Sequence, residues 1–217
     1  MSNHKFLGSN CQTVKLLWGF LCLAIVLFST DTLAQQNGYY NQTEAGVLIG
    51  KYTQQYSDAQ ESRTGFSFSS FNGIHLLPKH VVGISVGLDR YLEADLIPIA
   101  FGWRYFLGEG NGPKLFLGAD LGGASSILEK KETTDWSKTW YIGGLLVYPS
   151  VGVSFPLQES KTAFVVSLGY KYQRLSHFVG LIDPSGTSHP GLPPGLRQLT
   201  ETSYRYHSLS IKAGLLF

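Results

Sequence analysis

The chain reads as all-β: an eight-stranded, antiparallel, up-and-down transmembrane β-barrel. Three observations predict this. The last stretch, Tyr204 to Phe217, carries Leu209, Ile211, Ala213, Leu215 and Phe217 at every second position, with Ser208, Ser210, Lys212 and Gly214 between them. A period of two gives a strand one apolar face and one polar face. The same rhythm recurs eight times along the chain. Charged residues make up only 15% of the sequence and aromatics 13%, with 25 glycines; soluble chains carry ~25% charge. Beyond the N-terminal segment no run of ~18 apolar residues occurs, so no transmembrane helix is predicted. A membrane barrel fits this composition, because its lipid face is diluted by alternation with a polar interior.

The N-terminal segment, residues 1–34, reads as a secretory signal peptide. Lys5 and Lys15 precede the apolar run Leu16 to Phe28, and Thr32-Leu33-Ala34 follows as a small-residue cleavage site. The run is about 13 residues long, too short for the ~20 of a spanning helix. Cleavage after Ala34 leaves residues 35–217 as one barrel domain. Both cysteines, Cys11 and Cys22, leave with the signal, so the mature chain has no disulfide, thiolate nucleophile or Cys-ligated metal. Loss of Lys5, Lys15 and Asp31 takes the net charge from +2 to +1. No basic block is present, which argues against a nucleic-acid partner.

Eight strands are predicted near residues 43–52, 62–76, 81–91, 96–107, 114–128, 140–157, 162–174 and 203–217. The first places Glu44 on the inner face. In the third, Val82, Ile84, Val86 and Leu88 oppose Gly83, Ser85, Gly87 and Asp89. In the fourth, Ile97, Ile99, Phe101, Trp103, Tyr105 and Leu107 oppose Ala100, Gly102 and Arg104. In the seventh, Phe164, Val166, Leu168, Tyr170 and Tyr172 oppose Ser167, Gly169, Lys171 and Gln173. Ten or more residues suit a tilted crossing of the hydrocarbon layer, which takes ~9–11.

An even strand number puts both ends on one side, with short turns there and longer loops opposite. The short turns are read at Leu77–His80, Gly108–Pro113 and Gln158–Lys161. The outer loops are read at Thr53–Glu61, Leu92–Asp95, Glu129–Thr139 and Leu175–Thr202. Trp103, Tyr105, Trp140, Tyr141, Tyr170 and Tyr172 fall near predicted strand ends, as interfacial aromatics should. Pro98, Pro149 and Pro156 lie within strands and lack a ladder donor; a bulge is predicted at mid-strand Pro149.

Inward parity assigns Glu44, Asp89, Arg104, Lys114, Asp120, Lys171 and Lys212 to the lumen. An eight-stranded barrel is only wide enough to be filled by side chains, so these charges are expected to form an ion-pair network that plugs it. Inward Gly83, Gly87, Gly102, Gly118 and Gly152 would make room for them. The long loop 175–202 combines prolines and glycines with the apolar Phe178, Leu181, Ile182, Leu192 and Leu196. It is expected either to fold over the barrel mouth or to offer a surface for recognition. Ser176, His177 and Asp183, and likewise Glu201, His207 and Ser208, contain the residue types of a hydrolytic triad. Adjacent strand residues point to opposite faces, and no motif supports catalysis. No metal or cofactor motif is evident: His75 and His80 have the wrong spacing, and Gly108-Glu109-Gly110-Asn111-Gly112 lacks the Lys-Ser/Thr of a phosphate-binding loop.

Residues 43–217 resemble the small outer-membrane β-barrel proteins common in Bacteroidota, often labelled "porin family", and are similar in plan to the transmembrane barrel of outer membrane protein A. The resemblance is carried by the strand pattern and by the stretch from Val147 to Leu157. The terminal strand ending on Phe217 resembles the signal read by the barrel-assembly machinery. The resemblance implies an outer-membrane location, with outer-membrane lipid, lipopolysaccharide and the assembly machinery as partners, an extracellular partner unspecified, a monomeric state and no cofactor. The expected role is non-enzymatic, structural or in surface interaction. Passive transport of small or apolar solutes is the alternative, and a lipid-modifying enzyme a third reading. A soluble lipocalin-like barrel would alternate similarly.

Overall fold

The computed structural model describes residues 38–217 apart from 55–59, 92–93, 109, 111, 129–131, 158–161 and 186–189. The predicted signal peptide lies outside the described residues. The elements are β1 (Tyr39–Gln54), β2 (Gln60–Leu77), β3 (His80–Arg90), β4 (Asp95–Leu107), β5 (Lys114–Ser125), β6 (Glu132–Thr133), β7 (Ser137–Pro156), β8 (Ala163–Ile182) and β9 (Leu196–Leu216). The sheet runs in the order β5-β4-β3-β2-β1-β9-β8-β7-β6, and a β5–β7 pairing closes it. The result is an antiparallel ring of eight strands, with the two-residue β6 as a flap on β7. The first and last strands meet along an unbroken register from Gln42↔Leu216 to Gln54↔Tyr204. Backbone bonds between Asn41 and Phe217 extend this seam at 2.9 and 3.1 Å.

Alternation does in this ring what it does in any strand, but the faces are inverted relative to a water-soluble core. The outer surface is apolar: Phe101 and Leu121 are each 61% exposed and Ile84 55%. The interior holds Asp89, Ser67 and Gln173 at 0%. Along β8 the inward series runs Ala163, Val165, Ser167, Gly169, Lys171, Gln173 and Leu175, all buried.

The interior has three tiers. At the end where β1 begins and β9 ends, Tyr40, Phe71, Val81, Phe106, Phe116 and Val165 pack together, with Leu216 against them. At the other end Leu48, Tyr91, Ala94, Leu96, Leu175 and Tyr206 form a second apolar cluster. Polar and charged side chains lie between. The connection between β3 and β4, which looked short for an outer loop, explains the second plug. Tyr91 N–H donates to the Ala94 carbonyl at 3.1 Å, and both residues turn inward to cap the lumen.

Three expectations need correction. The strands next to 175–202 are much longer than predicted: β8 continues to Ile182 and β9 begins at Leu196. Phe178, Val179, Leu181 and Ile182 are aromatic, β-branched or large aliphatic residues that suit a pleated surface. The turn-forming prolines and glycines are confined to 184–195, where Gly195 takes φ 78° just before β9. The bulge is not at Pro149, which sits opposite Ala119 in continuous register on β5. On the β8 side the rungs at Tyr148 and Pro149 are skipped, and the register resumes unshifted at Ser150↔Gly169. Pro98 behaves alike, skipping two rungs toward β3 while pairing with Ala124. A missing donor is therefore absorbed by local loss of pairing, and the bulge falls instead between Gly143 and Leu146. The fifth strand ends at Ser125 rather than 128.

Candidate functional site

The inner faces of all eight ring strands build the polar tier. Asp120 on β5 is the register partner of Gly102 on β4, and Arg104 stands two residues further along β4, opposite Gly118; their side chains close that diagonal. Arg104 Nη2 donates to Asp120 Oδ2 at 3.1 Å and Nη1 donates to Oδ1. The guanidinium lies 4.3 Å over the Phe71 ring and also reaches Gln42 Oε1 at 3.4 Å. Lys171 on β8 crosses the lumen to pair with Asp89 on β3, and Ser67 Oγ donates to the same carboxylate at 2.7 Å. Glu44 accepts from Ser167 Oγ at 2.6 Å. Lys212 Nζ donates to Ser69 Oγ at 3.0 Å and sits 4.8 Å from the Tyr148 ring.

Each charge thus has a partner group, as burial demands: an uncompensated buried ion costs several kcal/mol. The inward glycines supply the room. A side-chain carbon at Gly102 would lie 2.5 Å from Asp120 Oδ1, and one at Gly169 would lie 2.5 Å from the Tyr148 ring. Among the described residues an apolar cluster lies at either end of this tier. Chemically the arrangement can hold charges in place, and its two hydroxyl–carboxylate contacts, Ser67–Asp89 and Ser167–Glu44, are buried in the lumen.

The sequence reading placed Glu44, Asp89, Arg104, Asp120, Lys171 and Lys212 inside, and all six are buried. The network differs from the expectation in two ways. Only Arg104–Asp120 and Lys171–Asp89 are buried ion pairs among the described residues; Glu44 and Lys212 are satisfied by hydroxyls. Lys114 has inward parity but is half-buried at the mouth, where β5 begins after the turn, and it stays outside the network. The residue missed was Arg63. It is buried on β2, its guanidinium 3.8 Å over Tyr206 and 4.2 Å over Tyr91, with Nη2 donating to Ser208 at 3.3 Å. Arg63 lies within the predicted strand 62–76 and shares the parity of Ser67 and Phe71, so applying that parity to it would have found it.

The predicted recognition loop is largely sheet. Among the described residues, β9 beyond the rung Gln54↔Tyr204 continues paired with β8, and β7 flanks β8 on its other edge. Eight residues of this extension amount to roughly 25 Å of strand beyond the ring. Phe178 stacks on Trp140 with ring centroids 5.3 Å apart. Leu181 pairs with Gln198, and Ile182 donates its N–H to the Trp136 carbonyl at 2.9 Å. Leu196 packs over Gly180, beneath Pro193 and Pro194, while Leu192 is half-buried in the turn. Gly180 has the outward parity of Phe178 on β8, so residues 193–196 fold against the outer face of the extension and not across the mouth. Tyr91 turns into the lumen at this end and stacks on Tyr206.

The triad candidates are not brought together. His177 stacks on Tyr141 at 4.6 Å on the inner face, whereas the adjacent Ser176 takes the outer one. Asp183 accepts from Ser185. His207 faces outward as predicted, within 2.5 Å of the Tyr170 hydroxyl. Phe217 is 53% exposed on the outer surface.

No protein-family model and no curated protein sequence matches the chain. Among solved structures it is similar to the outer membrane protein OprG from Pseudomonas aeruginosa, with a TM-score of 0.53 at 10% identity over 83% of this chain and 94% of that one. Neisserial surface protein A aligns at a TM-score of 0.43 and 16% identity, covering 81% of this chain and 96% of its own. The outer membrane protein AlkL aligns at 0.44 and 12%, covering 84% and 90%. The likeness to OprG shows a shared fold: the antiparallel barrel of an outer-membrane protein.

Proposed function

We propose that the chain is an integral outer-membrane barrel with a side-chain-filled lumen, serving a structural or surface-interaction role through the sheet and loops at its long-loop end. The observation that carries this reading is the inverted distribution of polarity. A closed ring with a continuous apolar exterior and a sealed, charge-paired interior suits hydrocarbon outside and no solvent path within. An exposed apolar belt of this extent on a soluble protein would be an aggregation site. The N-terminal segment supports export, and the even strand number supports long loops on the cell exterior. The projecting β7–β8–β9 sheet is the part available to an extracellular partner. Nothing in the geometry calls for catalysis.

Single-channel recording on the full chain folded into a planar bilayer tests the reading. The expected result is an absence of steady unit conductance. A reproducible open level in the folded barrel would overturn the sealed lumen and favour passive transport.

Phe217 carries the proposed assembly signal. Its side chain lies on the outer surface, while its backbone bonds to Asn41 hold the seam. Phe217→Ala is expected to lower the amount of barrel inserted in cells several-fold and to leave spontaneous folding into lipid vesicles unchanged. Equal insertion of both forms in cells would remove the signal role.

A further inference from the structure

Arg174 on β8 and Arg205 on β9 are direct register partners, and both are exposed. Their parity is that of Phe164, Val166 and Leu168 on one strand and Leu209 and Ile211 on the other, so both lie on the outer surface. Like charges directly opposite on neighbouring strands destabilise a sheet. Among the described residues neither arginine has an ion-pair partner. The surrounding face offers none. β7 and β8 contain no acidic residue, and the one acid described on β1, Glu44, points inward. Glu201 of β9 is two same-face rungs further out, opposite Phe178.

The height of the pair is equally informative. The next rung toward the apolar belt is Tyr172↔His207, with rings 5.1 Å apart, and Tyr170 bonds the same histidine. Aromatics of this kind mark the membrane–water interface. The arginines stand one rung beyond it, at the level of lipid headgroups. The rung beyond them is Ser176↔Ser203, which adds two hydroxyls on the same face. On the β7 side, Gly144 in the bulge leaves the flank of Arg174 without a side chain; a carbon added there would lie 3.0 Å from Arg174 Cβ.

We propose that Arg174 and Arg205 form a binding site for the phosphate groups of lipid A in the outer leaflet. Guanidinium forks match phosphate oxygens bidentately, and a bound phosphate would convert the repulsion between the two cations into a bridged arrangement. Ser176 and Ser203 are placed to donate to its remaining oxygens. The inference rests on the membrane reading above, with the long-loop end facing out.

The test uses the full-length barrel folded in detergent micelles and native mass spectrometry. The probes are bisphosphorylated lipid A, enzymatically dephosphorylated lipid A and phosphatidylglycerol. The protein is expected to retain bisphosphorylated lipid A at least about tenfold more tightly than does the Arg174→Gln/Arg205→Gln variant. The Arg174→Lys/Arg205→Lys variant should keep part of that gain, and dephosphorylated lipid A should not distinguish the proteins. Equal retention of lipid A by the glutamine variant would overturn the site. Phosphatidylglycerol held as tightly as lipid A would overturn the assignment to lipid A in favour of any anionic lipid. The unheated gel mobility of each protein reports that the barrel has formed. A chain that is fully soluble without detergent would overturn the membrane reading itself, an outcome separate from loss of lipid binding by a folded barrel.

Discussion

Asp89→Asn is expected to destabilise the folded barrel by about 3–5 kcal/mol, the cost of leaving a buried charge without its partner. Asp89 is fully buried and is the ion-pair partner of Lys171, itself 3% exposed in the middle tier. Without the carboxylate charge, the ammonium keeps a neutral amide oxygen and the face of Tyr148, 5.7 Å away, while Ser67 loses its charged acceptor. Urea unfolding of the barrel in detergent, followed by gel mobility, measures the effect. The double variant Asp89→Leu/Lys171→Met should recover most of the loss, because an apolar pair of similar volume often replaces a buried ion pair at little cost. If the single variant stays within about 1 kcal/mol of the parent, Lys171 is hydrated where it stands, and the sealed lumen must be abandoned.

Gly46→Val is expected to prevent stable closure of the ring. Gly46 lies on the seam between the first and last long strands, opposite Lys212. A side-chain carbon there would sit 2.0 Å from the Ile211 carbonyl oxygen and 2.6 Å from Lys212 Cα. These are backbone atoms and cannot rotate away as a side chain could. Relief requires parting the rungs Gly46↔Lys212 and Val47↔Ile211, so the cost should reach or exceed the roughly 1–3 kcal/mol of ordinary overpacking. The control is Ala45→Val, one residue earlier. Ala45 is exposed on the outer face opposite Ala213, where a larger apolar side chain meets the apolar surroundings. In a vesicle-folding assay read by gel shift, Ala45→Val should fold like the parent and Gly46→Val should remain largely in the unfolded band. Comparable folding of the two variants would show that the seam tolerates a displacement that the close approach forbids on geometric grounds.

Part of the site was legible before any coordinates. Which face a strand residue takes is a local property, set by alternation alone. Six of the seven lumen charges could therefore be placed from their neighbours in sequence, and His207 could be placed outside. Arg63 escaped only because parity was not applied to it, although it lies within the predicted strand 62–76. Lys114 misled because parity says which way a side chain points but not how far it is from the mouth. The projecting sheet escaped because its prolines and glycines, concentrated between 184 and 195, coloured the reading of a longer stretch whose own residues favour strand.

The sequence by itself thus determined the rhythm of the strands, the inward set of charges and the apolar outer face. Each is encoded by short-range pattern. Only the tertiary structure decided that Lys171 reaches Asp89 across the lumen, that Tyr91 caps one end, that Pro149 costs rungs rather than register, and that Arg174 faces Arg205. Those relations depend on which strands are neighbours and on the register between them. Register is a property of pairs of distant segments, settled by packing all eight strands into one closed ring, and no local period carries it.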